Sequence, residues 1–293
     1  MIFIKNKNGL FDIFLYVFFV ILAIFTIFPF YNVLILSVAN TISYVENTPY
    51  ILPYTIDFSG FKEIIGDPYF LKSFSVTVFI TVVGTFLNML FSVTTAYVLS
   101  RKRLLGRTFI LRFVIFTMLF SGGMVPTYLV ITKIGLLNSV WSMIFPCLIN
   151  SYYIFIMKNY FQAFPDSLDE SARIDGANEF QVLTKIYLPI SKPFLATFIL
   201  FYGVERWNEW WHSYLYVIDK NIKPLQTYLK DIFVVYNSQV AQQLKTMFSS
   251  QGDIFPQSVQ MATIIITMVP IMCVYPFIQK YFVKGLMLGS MKE

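Results

Sequence analysis

The chain has 293 residues, of which 57% are hydrophobic and 13% are charged. Soluble domains carry about 25% charged residues, so this composition excludes an ordinary soluble protein. A net charge of +6 would suit nucleic-acid binding, but the lysines and arginines concentrate in every second polar segment between apolar runs, which indicates membrane topology instead.

Six apolar segments are long enough to cross a bilayer, which takes about 20 helical residues. Their predicted bounds are 11–38, 73–99, 109–126, 138–157, 194–216 and 259–278. The apolar runs are continuous rather than alternating, which favours helices over a membrane β-barrel. The sequence therefore predicts an all-α, polytopic membrane protein with six transmembrane helices, folded as one domain over 1–293.

The basic residues also set the orientation. With the amino terminus inside, 14 of the 22 lysines and arginines lie in cytoplasmic segments and seven lie in external segments. By the positive-inside rule we expect both termini of this multi-pass protein in the cytoplasm. Two external segments, 39–72 and 217–258, are long, and segments of this length usually bind something or are disordered.

A polar insert at 158–193 separates the fourth and fifth spans, where a short turn would suffice. Ser167 and Glu170 have the spacing of a capping box, so a short helix should begin near 167. Gly176 suits the end of that helix because glycine tolerates positive φ. The helical part of the insert is predicted at about 165–189.

A second short helix should follow in the insert. Asn178 and Gln181 repeat the capping-box spacing, and Pro189 is expected to stop the helix. An apolar stripe at three-residue spacing consists of Phe180, Leu183 and Ile186. Two helices at an angle with an apolar face form either a knob for a partner's groove or a hairpin on the membrane surface.

The insert resembles the coupling motif of ABC importer permeases. The resemblance lies in the run Glu-Ser-Ala-Arg-Ile-Asp-Gly-Ala at 170–177 and in Ile-Tyr-Leu-Pro at 186–189, with serine in place of a more usual alanine at 171. By this resemblance, the ATPase-coupling residues are Glu170, Ser171, Ala172, Asp175, Gly176, Ala177, Ile186, Leu188 and Pro189.

Further segments narrow the resemblance. These segments are 121–128, 207–208, 224–226 and 276–285. They are similar to carbohydrate permeases related to the second maltose permease subunit, and most similar to the branch that handles oligosaccharides or polysaccharide fragments. The resemblance implies an ABC type I importer permease fold in a bacterial cell membrane. It also implies several partners: a homologous second permease subunit, two ATPase subunits that carry ATP and Mg, an external solute-binding protein and a carbohydrate substrate.

The chain itself has no G-x-x-x-x-G-K-[ST] phosphate loop. We therefore expect no enzymatic activity and no cofactor bound by this chain, with ATP hydrolysis on separate subunits. By resemblance, closure of those subunits on ATP moves the insert and switches the pore from an inward-facing to an outward-facing conformation.

The fifth span contains a dense polar cluster. At 100° per residue one helix face holds Glu205, Asn208, Glu209 and His212, and the opposite face holds Trp207, Trp210, Trp211 and Tyr214. Ionisable groups in a span usually face a bundle interior or a watery cavity, so the polar face should point inward. The tryptophan face is either an interfacial belt or a surface that stacks on sugar rings.

The candidate translocation path therefore comprises Glu205, Trp207, Asn208, Glu209, Trp211 and, in the second span, Asn88. Asn88 has the alternative role of bonding a neighbouring helix. No metal site is predicted, because His212 is the single histidine and both cysteines, Cys147 and Cys273, fall inside spans as small packed residues.

Three alternatives stay open. One is an ABC permease for a different solute class. Another is a secondary transporter with Glu205 and Glu209 as ion sites, although the insert would then have no purpose. The third is a membrane-embedded enzyme, for which the sequence offers no nucleophile–base pair or metal cluster.

Overall fold

The computed structural model describes residues 9–47, 49–243 and 255–290, and all regular structure among them is helical. This confirms the all-α class. The helices in chain order are α1 Gly9–Ser37, α2 Thr41–Glu46, α3 Ser59–Gly66, α4 Pro68–Ser100, α5 Arg107–Leu119, α6 Met124–Lys133, α7 Ser151–Gln162, α8 Asp166–Ile174, α9 Glu179–Val182, α10 Leu188–Ile190, α11 Lys192–Trp207, α12 Trp211–Tyr216, α13 Leu225–Gln243 and α14 Pro256–Ser290. Short 3-10 turns lie at Val140–Met143, Phe145–Cys147 and Lys220–Ile222, and a π-helical turn at Leu183–Tyr187.

Three helical segments are each long and apolar enough to cross a membrane: Phe11–Ser37, Pro68–Ser100 and Pro256–Cys273. They correspond to the first, second and sixth predicted spans. The other candidates are bent pairs, with angles of 116° between α5 and α6, 49° between 140–147 and α7, and 87° between 179–190 and 192–216. Six spans result when each bent pair counts as one.

The third, fourth and fifth spans were predicted as continuous helices, and this is wrong. The predicted bounds concerned are 109–126, 138–157 and 194–216. The third breaks after α5 at Gly123, whose φ of 86° is accessible mainly to glycine. The fourth starts with two 3-10 turns around Pro146, which lacks a backbone donor. The fifth breaks at 208–210, where neither glycine nor proline stands.

The described residues divide into two compact units. The first contains the described residues up to Asp67 together with Leu229–Met268, and the second contains Pro68–Tyr228 together with the described residues from Val269. In the first unit a small core forms from Ile35, Ala39, Tyr50 and Phe255. The single domain expected over 1–293 stays a prediction. Of the predicted external segment 217–258, residues 244–254 lie outside the described residues.

Helix α4 organises the second unit, where α7 and α11 pack along it. Its buried positions recur every three or four residues and are mostly small or polar: Ser73, Thr77, Ile80, Gly84, Asn88, Ser92 and Ala96. Small and polar side chains at such spacing let membrane helices approach closely and bond to one another. The core of this unit therefore lies between α4, α7 and α11.

Candidate functional site

The first helix of the insert, α8, begins at Asp166 directly after Pro165, and no side chain caps its amino end. The capping box predicted from Ser167 and Glu170 is therefore wrong, because proline with its fixed φ already sets the helix start one residue earlier. The helix ends as predicted. Gly176 has a φ of 79°, in the left-handed region that glycine enters without strain.

The second helical stretch begins at the predicted capping box. Asn178 and Gln181 bond each other's backbone N–H groups, both at 2.9 Å. Pro189 does not stop the helix, which continues to Ile190. A π-helical turn at Leu183–Tyr187 precedes the proline, and its wider spacing makes room for a ring that would clash with the carbonyl four residues earlier.

The π-turn also separates the predicted apolar stripe. Leu183 is buried in the core of the second unit, whereas Phe180 is 73% exposed. Ile174, which the sequence analysis did not single out, is 86% exposed at the end of α8. Two large apolar side chains thus flank the Gly176 turn. We refer to Glu170, Ile174, Gly176 and Phe180 as the insert surface.

The predicted coupling residues differ in exposure. Ala172 is buried and packs the insert onto the core. The half-buried residues are Ala177, Ile186 and Leu188, and the exposed ones are Glu170, Ser171, Asp175, Gly176 and Pro189. Their contact with an ATPase stays a prediction.

Arg101, just after α4, connects the insert to the membrane body. Its guanidinium forms an ion pair with Asp169 of α8 and lies over the rings of Tyr97 and Tyr187, with Cζ 4.1 Å and 4.7 Å from the ring centroids. Tyr187 Oη donates to Asp169 Oδ1 at 3.1 Å, and Tyr97 Oη donates to Glu179 Oε2 at 2.8 Å. We call these five residues the Arg101 cluster.

The charge of Arg101 is secure in this position. Burial lowers the pKa of its guanidinium, but the contacts with Tyr97 and Tyr187 and the negative charge of Asp169 outweigh burial and raise the pKa above its ordinary value. Delocalised charge over aromatic rings is the geometry in which arginine cannot be replaced by lysine without loss.

Weaker pairs surround the Arg101 cluster. Arg173 pairs with Glu179 and joins the two helices of the insert, and Lys102 Nζ lies 3.2 Å from Asp166 Oδ2. A cleft opens between the end of α4 and α8, and Glu170 lies on its rim. From the sequence, Arg101 counted only as one of the basic residues that favour a cytoplasmic segment. The i, i+4 pair of Tyr97 and Arg101 at a helix end was the available signal, and nothing in it indicated Asp169.

The break in the fifth span is stabilised by side chains that bond the backbone. Glu209 Oε1 accepts the backbone N–H of His212 at 2.9 Å, and Asn208 Nδ2 donates to the carbonyl of Val204 at 2.9 Å. Such local bonds offer the chain an alternative to continued helix. The polar residues that marked this span as a candidate path therefore also end its helix.

Because of this break, the two faces predicted at 100° per residue are wrong. Glu205 and Asn208 are exposed, whereas Glu209 is only 5% exposed. On the other predicted face, Trp207 is buried against Phe74 and Trp211 stays exposed. Whether Glu205, Trp207, Asn208, Glu209 and Trp211 line a path stays a prediction.

Exposed polar groups of the candidate path bond to neighbours in the second unit. Glu205 Oε1 accepts from Tyr153 Oη at 2.6 Å, and Asn208 Oδ1 accepts from Gln226 Nε2 at 3.2 Å. A sugar that meets these groups would compete for hydrogen bonds already in place.

Asn88 and Arg206 satisfy carbonyls that the broken fourth span leaves free. Asn88 Nδ2 donates to the carbonyls of Cys147 and Leu148 at 2.6 Å and 2.9 Å, the helix-bonding role named above as its alternative. Arg206 Nη1 donates to the carbonyl of Met143 at 2.8 Å. Gly84 provides the room, because a Cβ there would lie 2.9 Å from Cδ of Arg206.

No family model matches the chain. A polygalacturonan/rhamnogalacturonan transport system permease protein, YtcP of Bacillus subtilis (strain 168), is 41% identical over 289 residues, which cover 98% of this chain and 99% of that protein.

Two solved structures have the same fold. A chain in the crystal structure of a bacterial ABC transporter involved in the import of the acidic polysaccharide alginate has a TM-score of 0.86 and 33% identity, covering 96% of this chain and all of that one. A chain of a bacterial alginate ABC transporter in complex with an alginate pentasaccharide-bound periplasmic protein has a TM-score of 0.53 at 15% identity over 93% of both chains, which shows the fold alone.

Proposed function

This chain belongs to the permease subunits of carbohydrate ABC importers, and we propose that its insert surface receives the movement of an ATPase and passes it to α4 through the Arg101 cluster. The chain is a membrane-spanning component of a sugar importer. Family membership leaves the secondary transporter and the membrane enzyme without support. The observation that carries the proposal is the ion pair and ring stack that tie α8 to the end of α4.

The insert surface has the character of a docking site. Ile174 and Phe180 flank the Gly176 turn with large exposed apolar side chains, which favour burial against a partner. Glu170 adds a charge on the rim of the neighbouring cleft. A groove on the partner that accepts two apolar side chains and one acidic side chain fits this arrangement.

The remaining partners follow from the family. Since the chain carries no phosphate loop, ATP and Mg belong to two separate ATPase subunits. A second, homologous permease completes the membrane unit, and an external solute-binding protein delivers the sugar, with part of 219–258 reaching toward it. Both termini face the cytoplasm, as the distribution of lysine and arginine favours.

The substrate class we propose is an acidic oligosaccharide. Support comes from two similar transport proteins, which are named for polygalacturonan/rhamnogalacturonan and for the import of the acidic polysaccharide alginate. Neutral oligosaccharides are the rival class. The buried Arg206 does not supply a cation for such a substrate, because it faces Glu209 at 3.7 Å.

Uptake into proteoliposomes tests the substrate class. We expect the complete importer with its binding protein to transport short oligogalacturonides at least about tenfold faster than neutral malto-oligosaccharides of equal length, a difference of about 1.4 kcal/mol. Equal or reversed rates would reject the acidic class and leave the carbohydrate permease assignment intact.

Glu170→Arg tests the insert surface. We expect the variant to lose its ATPase subunits on co-purification from native membranes while it keeps the second permease, because a reversed charge would face the groove that accepts the acid. Glu63→Arg, at an exposed position of α3 outside the insert, is the matched control and should keep all subunits. Retention of the ATPase by Glu170→Arg would reject the proposed docking surface.

A further inference from the structure

The breaks of the fourth and fifth spans bring three different ligand side chains together. Cys147 ends the second 3-10 turn of the fourth span, and Glu209 and His212 border the break of the fifth. A sulfur, a ring nitrogen and a carboxylate oxygen from these residues all lie within 4.8 Å of one another. The sequence separation between Cys147 and His212 hides this group from any spacing motif.

The distances are close to those of a coordination sphere. Sγ of Cys147 lies 3.6 Å from Nδ1 and 3.2 Å from Nε2 of His212, and Nδ1 lies 3.0 Å from Oε2 of Glu209. Tetrahedral zinc, with bonds of about 2.3 Å to sulfur and about 2.0–2.2 Å to nitrogen and oxygen, separates its sulfur and nitrogen ligands by about 3.5 Å. The nitrogen and oxygen ligands of such a site are about 3.4 Å apart. Because the sulfur lies near both ring nitrogens, the side chains of Cys147 and His212 have to reorient before the sulfur and one nitrogen point at the same ion.

The surroundings hold the ligands in place. Glu209 Oε1 accepts the backbone N–H of His212 at 2.9 Å, and Oε1 and Oε2 lie 3.1 Å and 3.0 Å from Nδ1 of the His212 ring. Arg206 Nη1 lies 3.7 Å from Oε2 and keeps the carboxylate oriented. Outer partners of this kind position metal ligands. Glu209 and Arg206 are buried, whereas Cys147 and His212 are partly exposed and leave an entry for an ion.

We propose that Cys147, Glu209 and His212 bind one Zn²⁺, with water as the fourth ligand. Thiolate, imidazole and carboxylate together suit this borderline metal. Binding displaces the thiol proton and, from a protonated imidazole, one ring proton, so two positive charges leave as one Zn²⁺ arrives. The buried charge beside Arg206 is then unchanged. This proposal departs from the expectation, drawn from the single histidine, that the chain has no metal site.

A metal bound here links the break of the fourth span to the break of the fifth. If the breaks move during transport, which rests on the proposed function, Zn²⁺ slows uptake by the wild type but not by Cys147→Ala. Binding of the metal does not depend on that function.

Cobalt is the spectroscopic probe for the binding test. The complete importer is purified, stripped of metal and titrated with Co²⁺, and the bound Zn²⁺ is counted separately by mass spectrometry. In the wild type and in the matched control Cys273→Ala we expect a sulfur-to-cobalt charge-transfer band. We also expect each of these two complexes to bind one more Zn²⁺ than the Cys147→Ala complex. Cys147→Ala should lack both. Equal Zn²⁺ in wild type and Cys147→Ala would overturn the proposal.

A second measurement needs no cysteine variant. Zn²⁺ should slow maleimide alkylation of Cys147 at least about tenfold in the wild-type complex, leave Cys273 unaffected, and give no protection in His212→Gln. An unchanged rate at Cys147 would also overturn the site. Metal binding without any change in uptake would reject only the proposed consequence. Zn²⁺ binding together with ATPase retention by Glu170→Arg would reject the coupling proposal and leave the site standing.

Discussion

Replacing Arg101 by alanine should uncouple sugar transport from ATP hydrolysis. The substitution removes the ion pair with Asp169 and the stack on Tyr97 and Tyr187, and leaves Glu179 paired with Arg173 alone. Breaking a fully buried pair costs about 3–5 kcal/mol. Because the side chains of Arg101 and Asp169 keep 16% and 20% exposure, we expect about 2–3 kcal/mol here, discounted for solvent screening.

This loss falls on the link between α8 and α4, so the insert can still bind an ATPase without moving the membrane body. We expect uptake in proteoliposomes to fall at least about tenfold, while all subunits still co-purify and ATP is still hydrolysed. Arg101→Lys should recover only part of the uptake, since an ammonium cannot lie flat on both rings.

Lys102→Ala is the matched control for Arg101→Ala. Lys102 is the next residue and also pairs with an acid of α8, Asp166, but the two side chains are 63% and 75% exposed. Exposed pairs contribute about 0–1 kcal/mol, so uptake by this variant should stay close to the wild type. Wild-type uptake by Arg101→Ala, or an equal loss in both variants, would contradict the proposed role of the Arg101 cluster.

Replacing Arg206 by methionine should prevent the chain from folding stably in the membrane. Arg206 is 4% exposed, its guanidinium holds the carbonyl of Met143, and it faces the buried Glu209. Methionine fills much of the space but leaves the Glu209 carboxylate with only the partly exposed His212, whose Nδ1 lies 3.0 Å from Oε2, as a charged partner. Removing Arg206 from this buried pair costs up to about 3–5 kcal/mol. That is a large part of a typical folding free energy of about 5–15 kcal/mol.

Thermal unfolding of the purified complex and the amount of chain in the membrane measure this effect. Combining Arg206→Met with Glu209→Gln should recover part of the stability, because no buried charge then lacks a partner. Arg103→Met, which removes an exposed arginine, should behave as the wild type. A stable Arg206→Met chain would show that the pair contributes little to folding.

The insert shows how far local sequence patterns reach. The capping box of Asn178 and Gln181 and the positive φ of Gly176 were predicted correctly, since each depends on residues within one helical turn. The capping box at Ser167 failed because Pro165 sets the helix start. The π-turn before Pro189 also escaped prediction, because it depends on how Leu183 and Tyr187 pack into the core.

The candidate path shows the opposite case. Its polar residues were identified from composition, but their faces were predicted for an unbroken helix. The break is set by Glu209, which bonds the backbone of His212 while it is buried beside Arg206. The side chain of Arg206 in turn occupies space left by Gly84 on a different helix.

The sequence by itself determined the class of this protein. Long apolar runs require helices in a bilayer, basic residues favour one orientation, and the motif at 170–177 indicates a coupling insert. The tertiary structure alone decided where the spans break, that Arg101 holds Asp169, and that Cys147 meets His212. The physical reason is the separation along the chain over which each kind of interaction acts. Hydrophobicity and capping act within a few residues, whereas these contacts join residues 68 and 65 positions apart, and only packing of the helices brings them together.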